Sequence, residues 1–200
     1  LTPEGLPLWL LDCRSCYDRP GNPYQGPDGL DWPDNHLRFA LLSRIAAWLG
    51  SAASFLPWRP DILHCNDWQT ALAPAYLRLL SGGQARSVMT IHNLAFQGLF
   101  NREMLPALGL PESAWSMHGF EFYGYLSFLK SGLQFADWIT TVSPTYAREI
   151  QTDEEGMGLA GLLRHRGGRL TGIMNGIDAI AWDPARDRHQ HDDHHQLHER

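Results

Sequence analysis

Short apolar runs alternate along this chain with longer stretches whose apolar residues recur every three or four positions. Leu6–Leu11 reads as a strand, followed by a breaker-rich loop, Tyr17-Asp18-Arg19-Pro20-Gly21-Asn22-Pro23-Tyr24. Its prolines order such a loop and let it present side chains. Across 34–55 the residues Leu37, Leu41, Ile45, Trp48 and Leu49 keep helical spacing, with Asp34 in position to cap. Asp61–Cys65 predicts a buried strand, and a helix follows from Trp68 to Leu80, stopped by Gly82-Gly83. Ser87–Ile91 predicts the next strand, 126–135 a helix and Trp138–Val142 another strand. Ser143 and Pro144 then open a helix over 145–150. A short helix over 159–165 and a last strand over 170–174 complete the pattern.

Strand–helix–strand units of this kind predict an α/β fold, a Rossmann-like parallel sheet with helices on both faces. Ligands of such sheets bind beyond the carboxyl ends of the strands. Polar residues stand there in four places: His64, Asn66 and Asp67; His92 and Asn93; Ser143; Asn175 and Asp178. Capping and turn duty accounts for about half of them.

Composition narrows the function classes. The 200 residues are 44% apolar with a net charge of -6, which argues against a nucleic-acid partner. No apolar run reaches membrane-spanning length, so no membrane partner is expected. No signal peptide is visible. Three cysteines form no disulfide framework and suit a reducing cytoplasm. The spacing Cys13-Arg14-Ser15-Cys16 fits redox and zinc sites, but no second pair accompanies it. The sequence divides at about residue 187. The segment 188–200, with five histidines and almost nothing apolar, is expected to be a disordered tail open to adventitious metal binding.

Five segments, in order, resemble the bacterial glycogen synthase and plant starch synthase family. They are the Tyr17–Tyr24 loop; His64-Cys65-Asn66-Asp67-Trp68-Gln69 with Ala71–Leu77; Thr90-Ile91-His92-Asn93-Leu94-Ala95-Phe96-Gln97-Gly98; Ala136–Ala147; and Asn175-Gly176-Ile177-Asp178 with Trp182-Asp183-Pro184. The resemblance covers nearly all of residues 6–187. It implies the N-terminal half of a GT-B enzyme, incomplete here. Such an enzyme transfers glucose from ADP-glucose to the non-reducing end of an α-1,4-glucan with retention of configuration. It further implies that no metal or other cofactor is needed, because protein cations neutralise the diphosphate.

The same resemblance assigns residues. His92 matches the histidine that contacts the donor glucose, and Asp67 an acidic residue at the floor of the cleft; these two are the catalytic candidates. Tyr24, Asn175, Asn93 and Gln97 match donor- or substrate-binding positions. His118 and Glu121 fall on the acceptor side, with Lys130 nearby. Each has a plainer alternative: a structural histidine for His92, a helix cap for Asp67, a positive-φ turn for Asn175 and loop packing for Tyr24. The family's Lys-x-Gly-Gly loop and its C-terminal domain have no counterpart in the 200 residues, so this chain alone is expected to be inactive. A non-catalytic glucan-binding module, or a transferase for another sugar nucleotide, is the competing reading.

Overall fold

The computed structural model describes residues 2, 5–80 and 82–183. Seven strands run in chain order: β1 (Ile62–Asn66), β2 (Arg86–Ile91), β3 (Leu99–Asn101), β4 (Glu121–Phe122), β5 (Tyr125–Ser127), β6 (Trp138–Thr141) and β7 (Leu170–Gly172). The helices are α1 (Arg14–Tyr17), α2 (Asn35–Leu49), α3 (Asp67–Thr70), α4 (Leu72–Leu79), α5 (Phe128–Phe135), α6 (Pro144–Glu149) and α7 (Ala160–His165). A parallel sheet has the order β1-β2-β6-β7, with His64 beside Val88, Val88 beside Trp138 and Ile139 beside Leu170.

One face of that sheet is apolar. Cys65, Met89, Ile91 and Ile139 join Leu72, Tyr76, Leu129 and Leu133 from α4 and α5 in one buried cluster. The opposite face is a polar ladder at half burial. His64 Nε2 meets Thr90 Oγ1 at 2.6 Å, and Thr90 meets Thr140 at 2.6 Å. The helical cover expected on both faces is therefore complete on only one among the described residues. His64 is spent on this ladder and does not stand at the strand end.

Several elements depart from their sequence patterns. Leu6–Leu11 is no strand: it makes no sheet pairing, and Leu6, Leu8 and Leu10 are exposed. An apolar run becomes a strand only where a sheet edge receives its backbone, and here Trp9 stacks on Trp58 instead, at 6.1 Å. The helix α2 ends at Leu49, and its buried face is not the leucine stripe. It is Ala40, Ser43 and Ala47 with Phe39 and Arg38, and the small residues let α4 come close. The helix after β1 breaks at Ala71 into α3 and α4. Pro74 causes the break, since it cannot donate to the Thr70 carbonyl and its ring collides there, which is tolerated only in a first turn. Ser143 caps α6 as expected, its Oγ accepting from Tyr146 N at 2.9 Å.

A second, antiparallel sheet in the order β3-β5-β4 was absent from the sequence pattern. Its strands have two or three residues, too few to show alternation. It is held to the main sheet by aromatic rings: Trp68 of α3 packs on Phe39, Phe100 and Phe128. Gly98 sets this junction. Its φ of +60° is left-handed, and a Cβ there would lie 2.5 Å from Trp68 Cε3. Gly98→Ala is expected to cost about 2 kcal/mol or more, from the left-handed backbone and the clash together. A urea midpoint equal to that of the parent chain would show this wrong.

Candidate functional site

Parallel strands open at their carboxyl ends, and β1 and β2 are neighbours, so the residues just after them meet. Asp67 follows β1 and His92 follows β2. The Asp67 carboxylate accepts the His92 backbone N–H at 2.8 Å and lies 2.9 Å from His92 Nδ1. It does not cap its helix: Asn66 holds the cap position, and Asp67 sits inside α3 with a left-handed φ of +53°. Asp tolerates that conformation, and the hydrogen bond from the His92 N–H together with the 2.9 Å contact to Nδ1 holds it there. Thr70 Oγ1 closes the turn behind it, accepting from Asn66 N at 2.7 Å and donating to Asn66 O at 2.8 Å.

The pair is half open to solvent, with side-chain exposures of 45% for His92 and 29% for Asp67. The carboxylate beside Nδ1 favours a proton on that nitrogen, which would leave Nε2 to accept a hydrogen bond from an incoming hydroxyl. Such an acceptor, held in place, can orient a hydroxyl-bearing ligand.

Tyr24 arrives from the other side. Its hydroxyl accepts from Gln69 Nε2 at 2.7 Å, and its ring lies 6.0 Å from that of Trp68. Gln69 and Trp68 belong to the same short helix as Asp67, so the proline-rich loop docks on the helix that carries the acid. Arg38, only 5% exposed, ties this loop down: it donates to Cys16 O at 2.6 Å, Pro23 O at 3.0 Å and Asn35 Oδ1 at 2.6 Å. Asn35 Nδ2 in turn donates to Tyr24 O at 2.8 Å. Arg38 and Gln69 carry no strand-end signature, and only contacts across the fold identify them.

Asp34, read from the sequence as a cap, makes no capping bond; its carboxylate grips Arg19 with two bonds of 2.7 Å. That bonding to Arg19 holds the Asp34 pKa below its ordinary 3.8. A depressed carboxylate adds stability above its unfolded value and loses it as pH falls through the folded one. The Arg19–Asp34 contribution to loop order is therefore expected to be intact above about pH 3.8 and to be lost as pH falls through the lower folded value. The Arg19 guanidinium lies 5.0 Å from the Trp32 ring, so Asp34→Asn should remove this acid step from the Trp32 indole signal in a proton NMR titration; an unchanged step would contradict the assignment.

The remaining candidates separate. Asn93 is exposed and turns its Oδ1 back to Ala95 N at 2.9 Å. Gln97 is buried and donates from Nε2 to Met157 O at 2.9 Å, so here it braces the 151–159 segment. Asn175 and Asp178 lie past the end of β7, at the same edge of the sheet but two strands from β2. Asn175 is exposed and makes no hydrogen bond to Asp67 or His92. The Asp178 carboxylate accepts from Ile180 N and Ala181 N. Thus Asp67 and His92 converge, with Tyr24 anchored beside them through Gln69.

His118 and Glu121 instead line a separate cavity of about 460 Å³ with Phe122, Tyr123, Lys130 and His165; neither Asp67 nor His92 borders it. Lys130 is buried and donates to the Glu121 carbonyl, and burial lowers its pKa. The His-rich stretch 188–200 lies outside the described residues. No group of three or more metal-binding side chains occurs among the described ones.

Residues 1–165 match the family model of the starch synthase catalytic domain. The glycogen synthase of Dechloromonas aromatica is 64% identical over 182 residues, which are 91% of this chain and 37% of that protein. The glycogen synthase of Paramagnetospirillum magneticum is 57% identical over 187 residues, 93% of this chain and 38% of its own. Among solved structures, the catalytic domain of starch synthase IV from Arabidopsis thaliana, bound to ADP and acarbose, matches with a TM-score of 0.66 and 34% identity. That match covers 82% of this chain and 36% of the other. The chain thus spans under two fifths of the length of these relatives.

Proposed function

The chain belongs to the glycogen and starch synthase family, and on that premise we propose that it supplies the donor-glucose side of a retaining glucosyltransferase. The whole enzyme takes glucose from ADP-glucose and adds it to the non-reducing end of an α-1,4-glucan, in the cytoplasm and without a metal. The observation that carries this reading is the Asp67–His92 pair, set by adjacent strands at the open end of the sheet.

Breaking the bond between the glucose anomeric carbon and the diphosphate builds positive charge on the sugar ring. Fixed hydrogen bonds around the ring hold it on the reaction path and need no rearrangement as charge develops. His92 Nε2 accepts from a donor hydroxyl. Asp67 touches no substrate in this scheme; it positions His92 and places negative charge behind it. Tyr24 closes the loop side of the same opening. Cations for the departing diphosphate come from sequence that the family resemblance places outside these 200 residues. No nucleic acid or membrane takes part in this scheme, and no helix among the described residues is long and apolar enough to cross a membrane.

The test grafts residues 6–183 into the D. aromatica glycogen synthase in place of the matching segment. The chimera is expected to transfer glucose from ADP-glucose to maltooligosaccharide at a rate within about tenfold of the parent, since tenfold corresponds to only about 1.4 kcal/mol of barrier. The isolated 200-residue chain is expected to transfer none. A folded chimera that binds glucan yet transfers nothing would favour the binding-module reading. Preference for another base on the sugar nucleotide would place the chain in a related transferase.

A further inference from the structure

The scheme above leaves Cys13 and Cys16 without a role. Cys13 is the N-cap of α1 and Cys16 lies three residues on in its single turn, the spacing of a C-x-x-C pair at a helix start. Cys16 N and Tyr17 N both donate to Cys13 O at 2.9 Å, so the turn is formed and compact. Both thiols are partly exposed, whereas Cys65 is buried and its thiol is pushed up to about 12. Burial and the raised pKa leave Cys65 poorly placed to react, whereas solvent reaches the pair.

We propose that Cys13 and Cys16 are a reversible redox site, closing to an intramolecular disulfide against a low-molecular-weight disulfide such as glutathione disulfide and thereby reshaping the loop that carries Tyr24. One thiolate attacks a sulfur of the oxidant and expels one glutathione. The second thiolate then attacks the protein sulfur of that mixed disulfide and expels the other. Two protein thiols are oxidised, one oxidant disulfide is reduced, and both protons end on the two glutathione thiols. Cys13 is suited to attack first: hydrogen bonds from Ser15 and then Cys16 lower its pKa. Donating to Cys13 raises that of Cys16, which keeps it in reserve as the resolving thiol.

The consequence follows from what the turn holds. A disulfide fixes its sulfurs about 2 Å apart, closer than two free thiols rest, so closure pulls on the Cys16 backbone. The Cys16 carbonyl is a 2.6 Å partner of Arg38, whose other bonds hold Pro23 and Asn35, and Asn35 holds Tyr24 O. Tyr24 in turn meets Gln69 on the helix of Asp67. Cys13 to Asp67 is thus one continuous run of hydrogen bonds and chain. Its meaning for glucose transfer rests on the proposed function, but the chemistry and the structural response do not.

The full chain is titrated with defined mixtures of reduced and oxidised glutathione. Mass spectrometry follows the thiols, and proton NMR follows the Tyr24 and His92 rings. The expected result is a loss of two hydrogens confined to the peptide holding Cys13 and Cys16, reversed by dithiothreitol. The Tyr24 and His92 signals should move in step with it, and Cys16→Ser should stop at a glutathione adduct on Cys13 with no such shift. Thiols that stay free across the range, a disulfide to Cys65, or a Cys13–Cys16 disulfide that leaves both rings unmoved would each overturn the proposal. Because no readout is enzymatic, its failure is separable from failure of the glucosyltransferase reading.

Discussion

Asp67→Asn in the chimeric synthase is expected to lower kcat roughly 100- to 1,000-fold, the scale seen when one preorganised polar contact at a reacting centre is lost. The substitution spares the backbone, because Asn accepts the left-handed φ of +53° as readily as Asp. What it changes is the hydrogen-bond code. One carboxylate oxygen accepts from His92 N, and the other lies 2.9 Å from Nδ1, where it favours the proton on that nitrogen. An amide offers one oxygen and one NH₂, so it accepts from the backbone and donates to Nδ1. The imidazole proton then moves to Nε2, and the atom meant to accept from the sugar becomes a donor. His92→Ala should cost a similar factor, and the double variant little more than the worse single one, because the two residues act as a unit. Independent, multiplying losses, or a kcat for Asp67→Asn within about threefold of the parent, would remove Asp67 from the positioning role; threefold is about 0.7 kcal/mol.

Phe128→Ala is expected to destabilise the fold by about 3–5 kcal/mol, the usual cost of a fully buried phenylalanine. Phe128 is completely buried, its ring is 4.7 Å from that of Phe100 and 6.4 Å from that of Trp68, and its N–H donates to Gly98 O. It is the peg joining the small antiparallel sheet to the parallel one. Domains of this size hold only about 5–15 kcal/mol in total, so the loss is a large share. Urea unfolding followed by tryptophan fluorescence gives the number: a midpoint shifted down at unchanged slope. A loss below about 1 kcal/mol would mean that the pocket collapses around the deletion, and that the aromatic junction does not hold the two sheets together.

Much of this was legible before any coordinates. The parallel strands β1, β2 and β6 read correctly because each is a short β-prone run bounded by turn residues, with Cys65, Met89, Ile91 and Ile139 turned to the helix layer. The Asp67–His92 meeting also followed, since adjacent parallel strands deliver their ends to one edge. Other features depended on partners that a one-dimensional pattern does not hold. Leu6–Leu11 has strand composition but pairs with no sheet edge, and Trp9 stacks on Trp58 instead. The leucines of α2 keep helical period, yet the buried face is the one with Ala40, Ser43 and Ala47, chosen by how near α4 must come. Gln97 sits in the Thr90–Gly98 segment, and its side chain is nevertheless turned inward to Met157. Arg38 gave no signal at all, because its importance lies in three acceptors, two of them distant in sequence.

A structure of the chimeric enzyme with ADP-glucose bound tests the account most directly. The prediction is a donor-glucose hydroxyl within hydrogen-bonding distance of His92 Nε2, with Asp67 still gripping Nδ1 and the His92 amide. A glucose seated elsewhere, with His92 Nε2 facing only water and the Asp67 contact broken, would contradict it.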